Sequence, residues 1–176
     1  MIRRALREQV ATHVIRLCAL AFCLVIVSLA RAEDATVLSI GGLVERPLAL
    51  SMKELKAMPE VVAEVAEHNG VTSNYRGVSI VSLLESAGLA FGKALRGRRL
   101  ATYLLVQARD GYQVVFALPE LYAAFNEHII FLAYSKDGGE LPEGEAPLRV
   151  IVPSEKREAR WIRQVVSFKI LLVAPQ

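Results

Sequence analysis

Apolar and polar positions alternate over residues 36–40 and then meet Gly41-Gly42, which predicts a strand closed by a turn. The pattern changes at Ser51-Met52-Lys53-Glu54, which has the spacing of a capping box. There the serine hydroxyl and the Glu54 carboxylate satisfy each other's orphan amides. A short helix follows and ends near Met58-Pro59, because the residue before a proline avoids helical angles. Residues 61–67 hold enough β-branched side chains for a strand, and His68-Asn69-Gly70 reads as a turn. After Tyr75-Arg76-Gly77-Val78-Ser79, an apolar stripe of Ile80, Leu83, Leu84 and Ala87 recurs at helical spacing, with Gly88 as the residue that ends the helix. Residues 100–106 and 113–117 flank Asp110-Gly111 as a hairpin. Pro119 suits the first turn of a helix running through Phe125. Residues 129–134, 148–152 and 165–173 are apolar strand candidates. Strands outnumber helices and neighbours pair by hairpins, so the expected class is α+β with a mixed, mostly antiparallel sheet rather than a doubly wound fold.

The first 32 residues stand outside this pattern. Arg3, Arg4, Arg7 and Arg16 precede an uncharged apolar run over residues 17–30, and Ala30-Arg31-Ala32 offers a small-x-small cleavage site. This is the form of a secretory signal peptide, cut after Ala32, which implies a periplasmic or secreted domain at residues 33–176. The apolar run falls short of the ~20 residues a membrane-spanning helix needs. Arg3-Arg4 lacks the residues that usually surround a twin-arginine signal.

Removing that segment changes the charge reading. The chain has 21 basic and 18 acidic residues, and the segment holds five arginines and one glutamate, so 16 basic and 17 acidic residues remain. The pI of 9.0 thus belongs mostly to the targeting peptide, and nucleic-acid binding loses its main support. Both cysteines, Cys18 and Cys23, also lie in the segment. The remainder has no disulfide, no thiolate ligand and no cysteine nucleophile. No glycine-rich phosphate loop follows a strand, and two histidines do not make a Ser-His-Asp set. Residues 33–176 suffice for one domain that buries roughly two-thirds of its unfolded surface.

Four short signatures follow one another: Ala108-Arg109-Asp110-Gly111-Tyr112, Leu132-Ala133-Tyr134-Ser135-Lys136-Asp137-Gly138, Ala146-Pro147-Leu148-Arg149-Val150-Ile151-Val152-Pro153, and Arg157-Glu158-Ala159-Arg160-Trp161-Ile162. With Tyr75-Arg76-Gly77-Val78 ahead of them, they resemble the molybdopterin-binding domain of the sulfite-oxidase family over nearly all of the chain after Gly41. The resemblance implies an α+β domain and a pterin or molybdopterin-like ligand. Two departures qualify it. The family holds its molybdenum with a cysteine thiolate, on the loop where this chain has Glu67, His68 and Asn69. Soft sulfur ligands are not casually exchanged, which argues against a molybdenum centre of the family's type. The family's Arg-Ser-x-Lys-Trp run, which lines the phosphate and pterin, here carries Glu158 for serine and Arg160 for lysine. A carboxylate beside a phosphate dianion costs of order a kcal/mol at an effective dielectric of about 20.

The chain is therefore most similar to small, secreted, cysteine-less members of the family, such as periplasmic pterin-binding regulators. That likeness implies a non-catalytic domain that binds a reduced pterin and reports to a membrane protein in the periplasm, for example a cyclic-di-GMP enzyme. The alternative is a molybdopterin-dependent oxidoreductase with a non-cysteine metal environment. The candidate ligand-binding residues are Trp161 as a stacking face, Arg160 and Arg157 for oxo or side-chain groups, and His68 and Glu67 for the polar edge of the pterin. Tyr112, Tyr134 and Asp110 complete the set. Each has a plainer role: core packing for Trp161, core packing with wet hydroxyls for the tyrosines, a solvated edge for the arginines, a turn for Asp110 and His68. Lys93, Arg96, Arg98 and Arg99 form a basic loop, solvated or in contact with an acidic partner.

Overall fold

The computed structural model describes residues 35–153 and 155–174. The signal peptide expected at residues 1–32 lies outside them. Among the described residues ten strands and three short helices follow in order: β1 (Thr36–Gly42), β2 (Leu48–Ser51), α1 (Met52–Ala57), β3 (Glu60–Ala66), β4 (Thr72–Ser79), α2 (Ile80–Ser86), β5 (Thr102–Ala108), β6 (Gln113–Ala117), α3 (Leu118–Leu121), β7 (Phe131–Lys136), β8 (Gly139–Glu140), β9 (Arg149–Ile151) and β10 (Val165–Leu172). Single 3₁₀ turns at Gly92–Ala94, Gly97–Ala101 and Glu158–Arg160 complete the elements.

Two five-stranded sheets divide these strands. One has the order β2-β1-β10-β5-β6, and the other runs β3-β4-β7-β8, with β9 pairing β7. Among the described residues only β1 and β10 pair in parallel; the remaining ladders are antiparallel. The α+β expectation therefore holds. β5 alternates buried and half-buried positions along its length, as a strand with one face on the core should. Leu104, Val106, Phe116, Phe168 and Ile170 from the first sheet join Tyr75, Val78, Phe131, Leu132 and Val150 from the second in one buried cluster. Helix α2 adds Ile80, Leu83 and Leu84.

Local signals act as their chemistry requires. The Ser51 hydroxyl accepts from the Glu54 backbone N–H while the Glu54 carboxylate accepts from the Ser51 N–H, which starts α1. Gly88 takes a φ of +88° after α2, where a Cβ would lie 2.6 Å from that of Glu45. Gly77 has a different reason. A Cβ there would stand 2.1 Å from the Leu132 carbonyl oxygen, so only glycine lets β4 approach β7 at the register shift beside Arg76.

Three expectations change. The segment before α2 is itself a strand, β4, at the centre of a sheet. The helix at Pro119 stops at Leu121 rather than Phe125. Glu120 accepts from the Ala117 N–H at 2.6 Å to cap its start, and Tyr122 leaves helical angles to pack on Phe91, with ring centroids 5.6 Å apart. Tyr112 does not join the core: it is 51% exposed, because it sits on the β5–β6 hairpin, past the buried face of either strand.

Candidate functional site

A single arginine enters an otherwise apolar strand. Arg149 opens β9 ahead of Val150 and Ile151 and is only 4% exposed. A buried guanidinium must be paired, since stranding it in low dielectric is costly. One Nη donates to Glu145 at 2.8 Å and to the Tyr75 hydroxyl at 3.2 Å; the other donates to Glu158 at 2.7 Å. Its Nε, also buried, has no hydrogen-bond partner among the described residues.

The network extends from there. The Tyr75 hydroxyl donates to Glu67 at 2.9 Å, and Lys136 pairs with the same carboxylate. Burial would raise the Glu67 pKa, but hydrogen bonds from Lys136, Ser73 and Tyr75 and the charge of Lys136 outweigh it and bring it to about 2. Burial, and then the bond to Glu67, pushes the Tyr75 phenol up. Glu158 carries the network to the β3–β4 turn, where its second oxygen accepts from the His68 backbone N–H at 2.6 Å.

Trp161 packs over this cluster. It is 2% exposed, its indole N–H donates to the Val152 carbonyl at 3.1 Å, and its ring meets Tyr75 edge-on at 6.5 Å. The Arg149 guanidinium lies 5.3 Å from the ring centroid, a cation–π contact. Beside it, a hollow of about 340 Å³ opens between the β5–β6 hairpin and the segment leading to Ile162. Ala108, Asp110, Tyr112, Glu158, Trp161 and Arg163 contribute to its walls. The Tyr112 hydroxyl donates to the Ala159 carbonyl at 3.0 Å, and the Arg109 N–H to that of Gln164 at 2.9 Å, so hairpin and segment are tied together. Asp110 accepts from the Tyr112 N–H at 2.9 Å, as its turn requires.

The residues singled out from the sequence are thus divided. Trp161, Tyr112 and Asp110 share the hollow. Glu67 and the His68 backbone belong to the charge network next to it. Arg160 points elsewhere: it binds Glu155 and Glu120, donates to the Val115 carbonyl at 3.2 Å and lies 4.6 Å from the Phe116 ring centroid. Burial lowers its pKa, but the two carboxylates more than offset this and raise it. Arg157 is exposed and does not line the hollow. Tyr134 stands in a separate shallow hollow with Lys56, Glu60 and Arg76, and donates to Glu60 at 2.8 Å. Burial and that bond push its phenol up to about 12. Arg149, Tyr75, Lys136 and Glu145 were not singled out. Tyr75, Lys136 and Arg149 lie within the family signatures, and Arg149 carried the further signal of a charge inside the apolar run 148–152, which had to be paired.

The family profile described as the oxidoreductase molybdopterin binding domain matches residues 27–170, and the chain belongs to that family. Among relatives it is 27% identical over 143 residues to the uncharacterized oxidoreductase YuiH of Bacillus subtilis (strain 168), an alignment covering 76% of this chain and 66% of that one. Its fold matches the crystal structure of the sulfane dehydrogenase SoxCD from Paracoccus pantotrophus with a TM-score of 0.61 at 21% identity, covering 78% of this chain and 38% of that chain. The chain therefore spans about two-thirds of YuiH and well under half of the SoxCD chain. The family and the relatives' descriptions fit the molybdopterin-dependent oxidoreductase expectation better than the signalling one.

The hollow reaches the lower end of the ~300–1,000 Å³ usual for small-molecule sites, and its aromatic wall and polar rim suit a pterin ring. The metal is less well served. Neither cysteine lies among the described residues, and among those residues no group of three or more His, Cys, Asp or Glu side chains is placed to hold a metal ion.

Proposed function

We propose that this domain binds a pterin of the molybdopterin class in the Tyr112–Trp161 hollow, as a cofactor-binding domain of oxidoreductase type. The observation that carries the reading is the convergence of one aromatic wall, two carboxylates and one guanidinium on a single pterin-sized space. Tyr112, 51% exposed, supplies the aromatic face open to a ligand, and Trp161, 2% exposed, closes the hollow with the edge it shows. Asp110 is an acceptor for the amino edge of the ring and Arg163 a donor for its carbonyl, while Glu158 is held at the wall by Arg149 and His68. One buried face and two charge-assisted hydrogen bonds at ~1.5–3 kcal/mol each support affinity of about micromolar or better.

The test is to express the full chain in a host that makes molybdopterin, purify it anaerobically, oxidise it and look for a fluorescent pterin. Calorimetry with a reduced pterin then compares the wild type with Tyr112→Ala and Trp161→Phe, both expected to weaken binding. No affinity for any reduced pterin removes the function; binding unchanged in both variants removes the site.

A second reading has its own support. The cysteines lie only at positions 18 and 23, which favours a non-catalytic, exported pterin-binding protein that signals to a membrane partner. Stoichiometric molybdenum with dye-linked oxidase activity decides for the oxidoreductase, and bound pterin without either decides for the regulator. Export predicts a new N-terminus at Glu33 or within a few residues, read by mass spectrometry.

A further inference from the structure

Glu158 sits where two donors converge. One of its carboxylate oxygens accepts from the His68 backbone N–H at 2.6 Å, and the other accepts from an Arg149 Nη at 2.7 Å. A main-chain N–H and a guanidinium edge around one space are the ordinary components of an anion-binding site. The guanidinium is 4% exposed and so cannot turn to solvent, and its buried Nε still has no partner among the described residues. The Glu158 side chain is 25% exposed and forms part of the hollow's wall. It stands at the boundary between ligand space and the buried charge.

We infer that Glu158 is a built-in anion: its carboxylate fills the anion place made by Arg149 and His68, so the hollow selects a pterin that carries no phosphate. This rests on the pterin-binding reading above and narrows it: molybdopterin itself carries a phosphate, so the residues at Glu158 do not fit the intact family cofactor and favour a pterin that lacks the phosphate. A phosphorylated ligand entering the hollow meets Glu158 and Asp110 against the single charge of Arg163. Displacing Glu158 gains nothing at first, because one anion replaces another on the same two donors. Leaving it in place sets like charges side by side. Either way the phosphate is a liability.

The experiment uses the full chain and two probes, inorganic phosphate and a pair of pterins, 6-hydroxymethylpterin and its phosphate ester. The wild type should show no melting shift with phosphate beyond that with chloride at equal ionic strength. It should bind the neutral pterin at least about tenfold more tightly than the ester. Glu158→Ser vacates the place, so its melting temperature should fall and then recover, saturably, with phosphate, while its preference against the ester narrows or reverses. Glu158→Gln still fills the space and should not respond to phosphate. A folded Glu158→Ser protein that ignores phosphate overturns the inference, as does a wild type that responds equally. If Glu158→Ser does not fold in chloride, Glu158→Ala, which also vacates the place and removes the charge, is refolded in phosphate and in chloride at equal ionic strength, and equal yields in the two overturn the inference. A wild type that binds neither pterin removes the pterin reading, and the phosphate arm then decides on Glu158 alone.

Discussion

Arg149 and Arg160 are each held between two glutamates, and the two sites differ chiefly in water. Arg149 is 4% exposed and binds Glu145 and Glu158; Arg160 is 35% exposed and binds Glu120 and Glu155. Arg160 keeps much of its hydration, and its partners add little beyond tying the Glu158–Arg160 turn to α3. Arg149 has exchanged nearly all of its water for protein acceptors and aromatic faces. Removing a partner there strands a buried charge. The same motif of one arginine and two carboxylates is a surface tie in one place and a structural centre in the other, and only the second adjoins the pterin-sized hollow.

The largest test of this contrast is Arg149→Ala, which leaves Glu145 and Glu158 facing each other without their cation. It should cost about 3–5 kcal/mol, measured by urea denaturation. A loss under about 1 kcal/mol would mean the guanidinium is wetter than its burial states. Tyr75→Phe comes next, since the lost hydroxyl joins Arg149 to Glu67; about 1–3 kcal/mol should disappear while the ring keeps its place against Trp161.

The third test is acid. Glu67 has its pKa lowered from 4.5 to about 2 in the fold, so it binds more protons when unfolded. Its contribution is fully present above about pH 4.5 and is lost as pH falls toward 2. Allowing for solvent screening, roughly 1–2 kcal/mol should go across that window. Glu67→Gln should flatten this part of the stability profile, and a slope unchanged in that variant would assign the acid loss to other carboxylates. The smallest effect is Arg160→Ala, at about 0.5–1 kcal/mol and reduced by salt. Should Arg160→Ala cost as much as Arg149→Ala, the contrast between the sites is gone.

Where a signal was local, it could be read without the fold. The Ser51–Glu54 box, the stripe Ile80-Leu83-Leu84-Ala87, the alternation in β1 and the Asp110-Gly111 turn between β5 and β6 depend on neighbours within a turn or a pleat, and each element formed within a few residues of its expected place. The four ordered signatures likewise carried the family. β4 was missed because Tyr75-Arg76-Gly77-Val78 has no strong strand pattern of its own. It becomes a central strand through its ladders to β3 and β7, and Gly77 is explained by the Leu132 carbonyl, far away in sequence.

The sequence by itself determined the class of the domain, its short elements, the lack of a thiol after residue 23, and the presence of a carboxylate where the family has serine. Tertiary structure alone decided which charges meet. It placed Glu158 on Arg149 and His68 and sent Arg160 to Glu120 and Glu155. It also buried Trp161 while leaving Tyr112 in water. The reason is that pairing strength depends on burial and on distances that the fold sets between residues from 5 to 90 positions apart, and neither quantity is written in local spacing.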